Sequence, residues 1–132
     1  IDISASQIAL AKQNLPTGNF QQADMSHLSA NQYQVEAIVS FYAIFHLPRQ
    51  THLSLLKTCA SYLPLGGYLL ITMGVDAWEG SNDFYGSPMW WSHYDAATNI
   101  HLVKKAGFKI VRQAIDQSGG EQHQVILAQR VR

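Results

Sequence analysis

The chain has 132 residues, 47% of them hydrophobic and 14% charged, so it can bury a core as one domain and is not a disordered segment. Nine basic side chains balance nine acidic ones. With no basic run, an extended electrostatic footprint for nucleic acid is not supported. The longest apolar run, Tyr68 to Val75 with one Thr, falls far short of the ~20 residues of a membrane span. Cys59 is the single cysteine and can form no internal disulfide. With no signal peptide visible, a reducing cytoplasm is the expected location.

Ile1-Asp2-Ile3 reads as the end of a strand already under way, so the chain is expected to begin inside a domain. Ser4-Ala5-Ser6-Gln7 is a capping-box pattern, and Ile8, Ala11 and Leu15 then share a helical face until Pro16 stops it. Phe20 to Ala23 is a short strand ending at Asp24-Met25, and a polar segment runs on to Gln34. Val35 to Ser40 is the next strand. From Arg49 to Tyr62, Leu53, Leu56, Ala60 and Leu63 recur at helical spacing. Pro64 with Gly66-Gly67 makes a turn into Tyr68 to Thr72, a continuous apolar run suited to a strand buried on both faces. The segment from Gly74 to Tyr94 has the look of a long functional loop, rich in aromatic and turn residues. Asp95 is a good N-cap for a helix carrying Ile100 and Val103, with Lys104 and Lys105 in its last turn and Gly107 just beyond. Phe108 to Ile115 and Gln122 to Gln129 are strands joined by a turn too short for a crossover helix, hence antiparallel neighbours.

This order predicts an α/β fold: a Rossmann-like sheet with helices on both faces that ends in an antiparallel β-hairpin. A nicotinamide-binding Rossmann domain would end in another parallel strand, and is disfavoured for that reason. The turn Leu63-Pro64-Leu65-Gly66-Gly67 and its strand resemble the approach to the fifth strand of class I S-adenosylmethionine (SAM) dependent methyltransferases. Ser40-Phe41-Tyr42-Ala43-Ile44-Phe45-His46-Leu47 is similar to that family's Ser-x-x-Ala-x-x-His-Leu segment. Met89-Trp90-Trp91-Ser92-His93-Tyr94-Asp95 is similar to a run found in a subset of its members.

The resemblance implies SAM as cofactor and assigns residues to it. Asp2, in Ile-Asp-Ile-Ser, matches the acid that accepts from both ribose hydroxyls, and Ile3 would pack on the adenine. Asp2 has a second role open to it, preparing the helix start. Asp24 matches the acceptor for the adenine amine, with Met25 adding an apolar contact, although Asp24 can equally cap the turn at Ser26. Ser40 and Phe41 would lie nearest the methionine end. Tyr42, Trp90 and Trp91 are expected at a small-molecule acceptor. His93 and Tyr94 could take a proton from it, while the bland alternative for Trp91 and Tyr94 is loop anchoring. Phe45 is expected in the core, and His46 as a structural residue before the next helix. The six histidines are scattered, with no His-x3-His pair and no cysteine partner set, so no metal is expected.

The resemblance spans the chain as a single truncated methyltransferase domain, 1–132, the C-terminal part of the family's domain. The family's first strand and the glycine-rich loop after it have no counterpart in these residues. The first strand sits between the second and fourth, so its loss is expected to expose a sheet edge. That edge would be met by a rearranged N-terminal segment, by an open apolar cleft, or by a homodimer partner. Two functions follow: methyl transfer from SAM to a small molecule by the parent enzyme, or a non-enzymatic remnant acting as a dimeric binding module.

Overall fold

The computed structural model describes all residues from Ile1 to Arg132. Its centre is a four-stranded mixed sheet of order β1-β2-β6-β5, made of β1 (Ala37–Ser40), β2 (Tyr68–Met73), β5 (Phe108–Asp116) and β6 (His123–Arg130). β1 runs parallel to β2, whereas β6 is antiparallel to both β2 and β5. The closing hairpin read from the sequence is therefore present, with its second strand inserted beside β2.

Two helices, α2 (His52–Tyr62) and α3 (Ala96–Lys105), supply the other half of the core. Leu56, Ala60, Leu63, Val103 and Ala106 meet Leu69, Ile71, Met73, Phe108, Ile126 and Ala128 in one buried cluster. The register explains the choice of face. Leu69 pairs with Ala128, Ile71 with Ile126 and Met73 with Gln124, so the buried positions of β2 and β6 line up on one side. The opposite side carries Val39, Leu70 and Leu127 in one cross-strand row, and Val39 is 61% exposed. β1 has no strand on its outer edge, so the edge expected to be exposed is open.

A buried polar bridge joins the layers. Asn99 of α3 and Gln124 of β6 are fully buried. Asn99 Nδ2 donates to the Gly74 carbonyl at 2.8 Å and to Gln124 Oε1 at 3.1 Å. Gln124 Nε2 donates in turn to the Ala96 carbonyl at 3.1 Å and to Gln113 Oε1 at 3.3 Å. The start of α3, the end of β2 and the hairpin strands are thus held at one point.

The N-terminal part stands outside this core. α1 (Ala5–Asn14) begins at Ser4, whose hydroxyl accepts from the Gln7 amide, as the capping pattern predicts. The reciprocal half of the box is not formed, because the Ser4 amide donates to Asp2 Oδ1 at 2.7 Å instead. Ile8 is the one buried residue of α1, and Leu15, expected on the same face, is 55% exposed. The predicted strand at 20–23 is reduced to one parallel bridge between Asp2 and Gln22. This segment is tied to the rest through Tyr33, packed edge-on against Tyr62 at 5.2 Å, and through the Val35 amide to the Tyr62 carbonyl.

The largest departure from expectation is at 74–94. The presumed loop is a β-ribbon of β3 (Trp78–Phe84) and β4 (Ser87–His93), paired over their whole length. Gly80, Asn82 and Asp83 in one strand and Pro88 in the other hide it from a propensity reading. Its turn, Tyr85-Gly86, has φ of 51° and 81°, the left-handed pair a two-residue hairpin loop needs. A lone two-stranded ribbon is marginal in water, so tertiary contacts must hold it.

One buried histidine makes stability depend on pH. His52 is fully buried, its Nε2 donates to the Leu47 carbonyl at 3.2 Å, and its Nδ1 has no partner. Burial pushes its pKa down, so it stays neutral when folded. The unfolded chain protonates near the ordinary value of about 6.5. The contribution is therefore complete above that pH and is lost as pH falls toward the folded value. Urea midpoints are expected to drop between pH 7 and pH 5, and His52→Phe should flatten that limb. Identical pH slopes in the two proteins would disprove the assignment.

Candidate functional site

A cleft of about 420 Å³ opens beyond the carboxyl ends of β1 and β2, where ligands of open α/β sheets bind. Its walls come from three places: Gly74 to Trp78 after β2, the inner face of the ribbon, and Glu121 to His123 at the start of β6. Phe45 forms the floor. Its neighbour segment is fixed by the Tyr42 amide, which donates to Thr72 Oγ1 at 2.6 Å and so ties the end of β1 to the end of β2. Tyr42 takes φ 53°, a left-handed conformation costly for a bulky side chain.

Strand alternation sorts the ribbon's side chains. Trp78 pairs with His93, Gly80 with Trp91 and Asn82 with Met89, so Trp78, Asn82, Trp91 and His93 share the face that lines the cleft. Trp91 packs against Trp78 at 6.5 Å and against Phe84 at 5.8 Å. The other face docks on the chain before α2. Ser92 Oγ accepts from the Arg49 amide at 2.8 Å and donates to Glu79 Oε2 at 2.5 Å, while His46 Nδ1 meets the Trp90 carbonyl at 3.1 Å. These bonds give the ribbon the tertiary support it lacks by itself.

His93 is the best-defined polar group in the cleft. Its Nδ1 lies 2.5 Å from the Asp76 carbonyl, which can only accept, so Nδ1 carries the proton. Nε2 is then the basic nitrogen, and it has no protein partner. The ring lies directly on Gly74, where a Cβ would come within 2.1 Å of Nδ1. On the opposite wall His123 stacks on Phe45 at 5.8 Å and meets the Tyr42 ring edge-on at 4.9 Å. Its Nε2 lies 3.7 Å from Glu121 Oε2. No group of three His, Cys, Asp or Glu side chains is placed to hold a metal ion.

The site residues predicted from sequence divide accordingly. Trp91 and His93 line the cleft; Trp90, the next residue, points away and is 36% exposed. Tyr42 borders the cleft through its contact with His123. Tyr94, expected beside the acceptor, faces elsewhere: its ring meets His52 edge-on at 6.2 Å and carries the Arg49 guanidinium 5.5 Å above it. It anchors the chain entering α3. Phe45 is buried as expected, yet it also forms the cleft floor.

The residues matched to a cofactor lie outside the lining of this cleft. Asp2 and Asp24 are brought close by the Asp2–Gln22 bridge. Each spends one carboxylate oxygen on a local turn, Asp2 on the Ser4 amide and Asp24 on the Ser26 amide at 2.8 Å. Bonds from Ser26 hold the Asp24 pKa below the usual carboxylate range, so it stays ionised. Ile3 is 66% exposed, Met25 and Ser40 are half-buried, and Phe41 is 51% exposed beyond β1.

A family model for the methyltransferase domain matches residues 1–67, half of the chain. The chain belongs to the methyltransferase-domain family. The matched half of this methyltransferase domain carries Asp2, Asp24 and the Ser40–His46 segment, while the ribbon and the closing hairpin lie beyond it. Solved structures extend the fold over the whole chain. A Listeria monocytogenes protein assigned to the S-adenosylmethionine dependent methyltransferases superposes with TM-score 0.83 at 14% identity, over 99% of this chain and 78% of its own. A Mesorhizobium loti S-adenosylmethionine dependent methyltransferase gives 0.75 at 17% identity, over 98% and 78%. Burkholderia thailandensis 1,6-didemethyltoxoflavin-N1-methyltransferase gives 0.71 at 14% identity, over 97% of this chain and 57% of its own. No curated protein matches the sequence significantly.

The methyltransferase domain's cleft depends on Gly74. Gly74→Ala is expected to expel the His93 ring and to cost about 1–3 kcal/mol in chemical denaturation, as overpacking does. It should also shift the His93 imidazole resonances. Gly119→Ala, built into open space, should do neither. Unmoved His93 resonances in Gly74→Ala would show that the two do not pack as described.

Proposed function

We propose that this chain carries the acceptor site, and the ribose and adenine contacts, of a SAM-dependent methyltransferase acting on a small molecule. The observation that carries the reading is His93, held in one tautomer with a free basic nitrogen inside an aromatic cleft at the carboxyl ends of β1 and β2. Two solved relatives support the chemistry. The Burkholderia enzyme was crystallised with 1,6-didemethyltoxoflavin and S-adenosylhomocysteine, and the N-methyltransferase NodS of Bradyrhizobium japonicum with S-adenosylhomocysteine.

The residues present suit the cofactor's nucleoside end. Asp2 Oδ2 is unengaged and exposed, ready to accept from a ribose diol. Asp24, kept ionised, can accept from the adenine amine beside Met25. Ile3, next to Asp2 in the chain, and Phe41, beyond β1, offer exposed apolar surface. When bound, SAM supplies an electrophilic sulfonium methyl. The chain's own part is then alignment and desolvation, which govern an in-line displacement more than a strong base does. Phe45, Trp78 and Trp91 wall the acceptor from water, and His93 Nε2 takes the proton that the acceptor atom releases. Tyr94 has no share in this step.

The quaternary part of the proposal concerns β1. A second copy would pair along its open edge beside Val39, as a binding module would also require. A monomer in sedimentation velocity at micromolar concentration would remove that part.

The test of the main reading is calorimetry with SAM on this chain, followed by a methyl-transfer assay. Saturable binding weakened by Asp2→Ala is expected. His93→Gln should bind SAM as the parent does while turnover falls about 10²–10⁴-fold. Absence of SAM binding, or undiminished turnover in His93→Gln, would defeat it.

A further inference from the structure

We infer that the acceptor of this cleft is an arylalkyl amine, bound as its ammonium cation, and that Asp76, Glu121, Trp78 and Trp91 select it. The inference rests on the cleft being the acceptor site proposed above. It adds the class of molecule that the site takes.

The cleft's composition carries the argument. The acidic residues of its lining are Asp76 and Glu121, and no lysine or arginine faces it. The Arg49 guanidinium, from the chain before α2, lies against the ribbon's opposite face, turned to Glu79 at 3.8 Å and to the Tyr94 ring. The chain as a whole has nine basic and nine acidic side chains, so this negative field is local to the cleft and not a reflection of net charge. Three large aromatic rings share the lining: Phe45, Trp78 and Trp91. Trp78 and Trp91 meet at 63° with centroids 6.5 Å apart, so they offer two differently oriented π-faces to one ligand. Aromatic faces with carboxylates at the rim attract a cation, and indole is the strongest of the aromatic partners. The same groups repel a carboxylate or phosphate, for which the cleft has no cationic partner.

The ammonium also gives His93 a defined task. An ammonium nitrogen has no lone pair, so it must lose a proton before it can attack. The N–H bond breaks and the proton goes to His93 Nε2, leaving a neutral amine with its lone pair free. That pair forms the new N–C bond to the methyl carbon of the sulfonium donor as the C–S bond breaks and its electrons return to sulfur. The product is an N-methylammonium and a neutral thioether, and His93 returns its proton to solvent. Atoms and charge balance with the sulfonium donor as the one co-reactant.

The measurement needs no methyl donor, which separates it from the test of the activity itself. Phenethylammonium, 2-phenylethanol and 3-phenylpropionate are titrated into the full chain by calorimetry, with tryptophan emission followed in parallel. The ammonium is expected to bind at least tenfold tighter than the alcohol and to change the emission, with the carboxylate weakest. Asp76→Asn combined with Glu121→Gln should erase the preference for the ammonium while leaving the alcohol's binding unchanged. Trp78→Ala should weaken ammonium and alcohol together, and circular dichroism confirms that each variant folds. The inference is overturned if the alcohol or the carboxylate binds as well as the ammonium, if none of the three saturates at millimolar concentration, or if the double variant keeps the preference. Ammonium selectivity in a chain without methyl transfer would defeat the activity and leave the recognition standing. SAM binding without ammonium selectivity would do the reverse.

Discussion

The hydrogen bonds made by the Asn99 and Gln124 side chains fix more of this molecule than any other interaction. Both amides are fully buried, so every bond they make is protected from competition with water. Asn99 holds the Gly74 carbonyl, and Gly74 is the residue on which His93 rests. Gln124 holds the carbonyl of Ala96 at the first turn of α3 and lies next to His123 of the cleft wall. An apolar pair here would leave the Gly74 carbonyl without its bond from Asn99, at about 1–3 kcal/mol, whereas the Ala96 carbonyl would keep its bond within α3. The polar pair therefore sets where β2 ends relative to α3 and β6, and with that the width of the cleft.

From this fixed point outward the structure becomes less constrained. The core between α2, α3 and the sheet is closed on one face and continuous. The ribbon is held by a few polar contacts to the 46–49 segment, enough to orient Trp91 and His93 inward. The N-terminal segment is joined through residues 29–35, by the Tyr33–Tyr62 contact and by hydrogen bonds to Ser61 and Tyr62. A cleft placed between a rigid sheet and a lightly held ribbon has one wall that can move, since weakly packed elements open at low free-energy cost.

Sequence reading worked where one local signal settled the structure. The Ser4 and Asp95 caps, the apolar period of α2, and the short turn between β5 and β6 each needed only neighbouring residues, and each is present. It failed at 74–94, because the ribbon has poor strand propensity and depends on Ser92, Glu79 and Arg49 meeting across the chain. The site was legible in part for the same reason. His93 and Trp91 stood out by motif, while Asp76, Trp78, Asn82, Glu121 and His123 belong to segments that carry no local signature and converge only when folded. Tyr94 carried two readings from its motif, a proton acceptor or a loop anchor, and its ring packed on His52 fits the anchor.

The sequence by itself determined the element order, the closing hairpin, the helix caps and the family, since these depend on spacing and turn chemistry within short stretches. The tertiary structure alone decided which side chains share the cleft and that His93 keeps its proton on Nδ1. These are contacts between residues far apart in the chain, and no local preference encodes them.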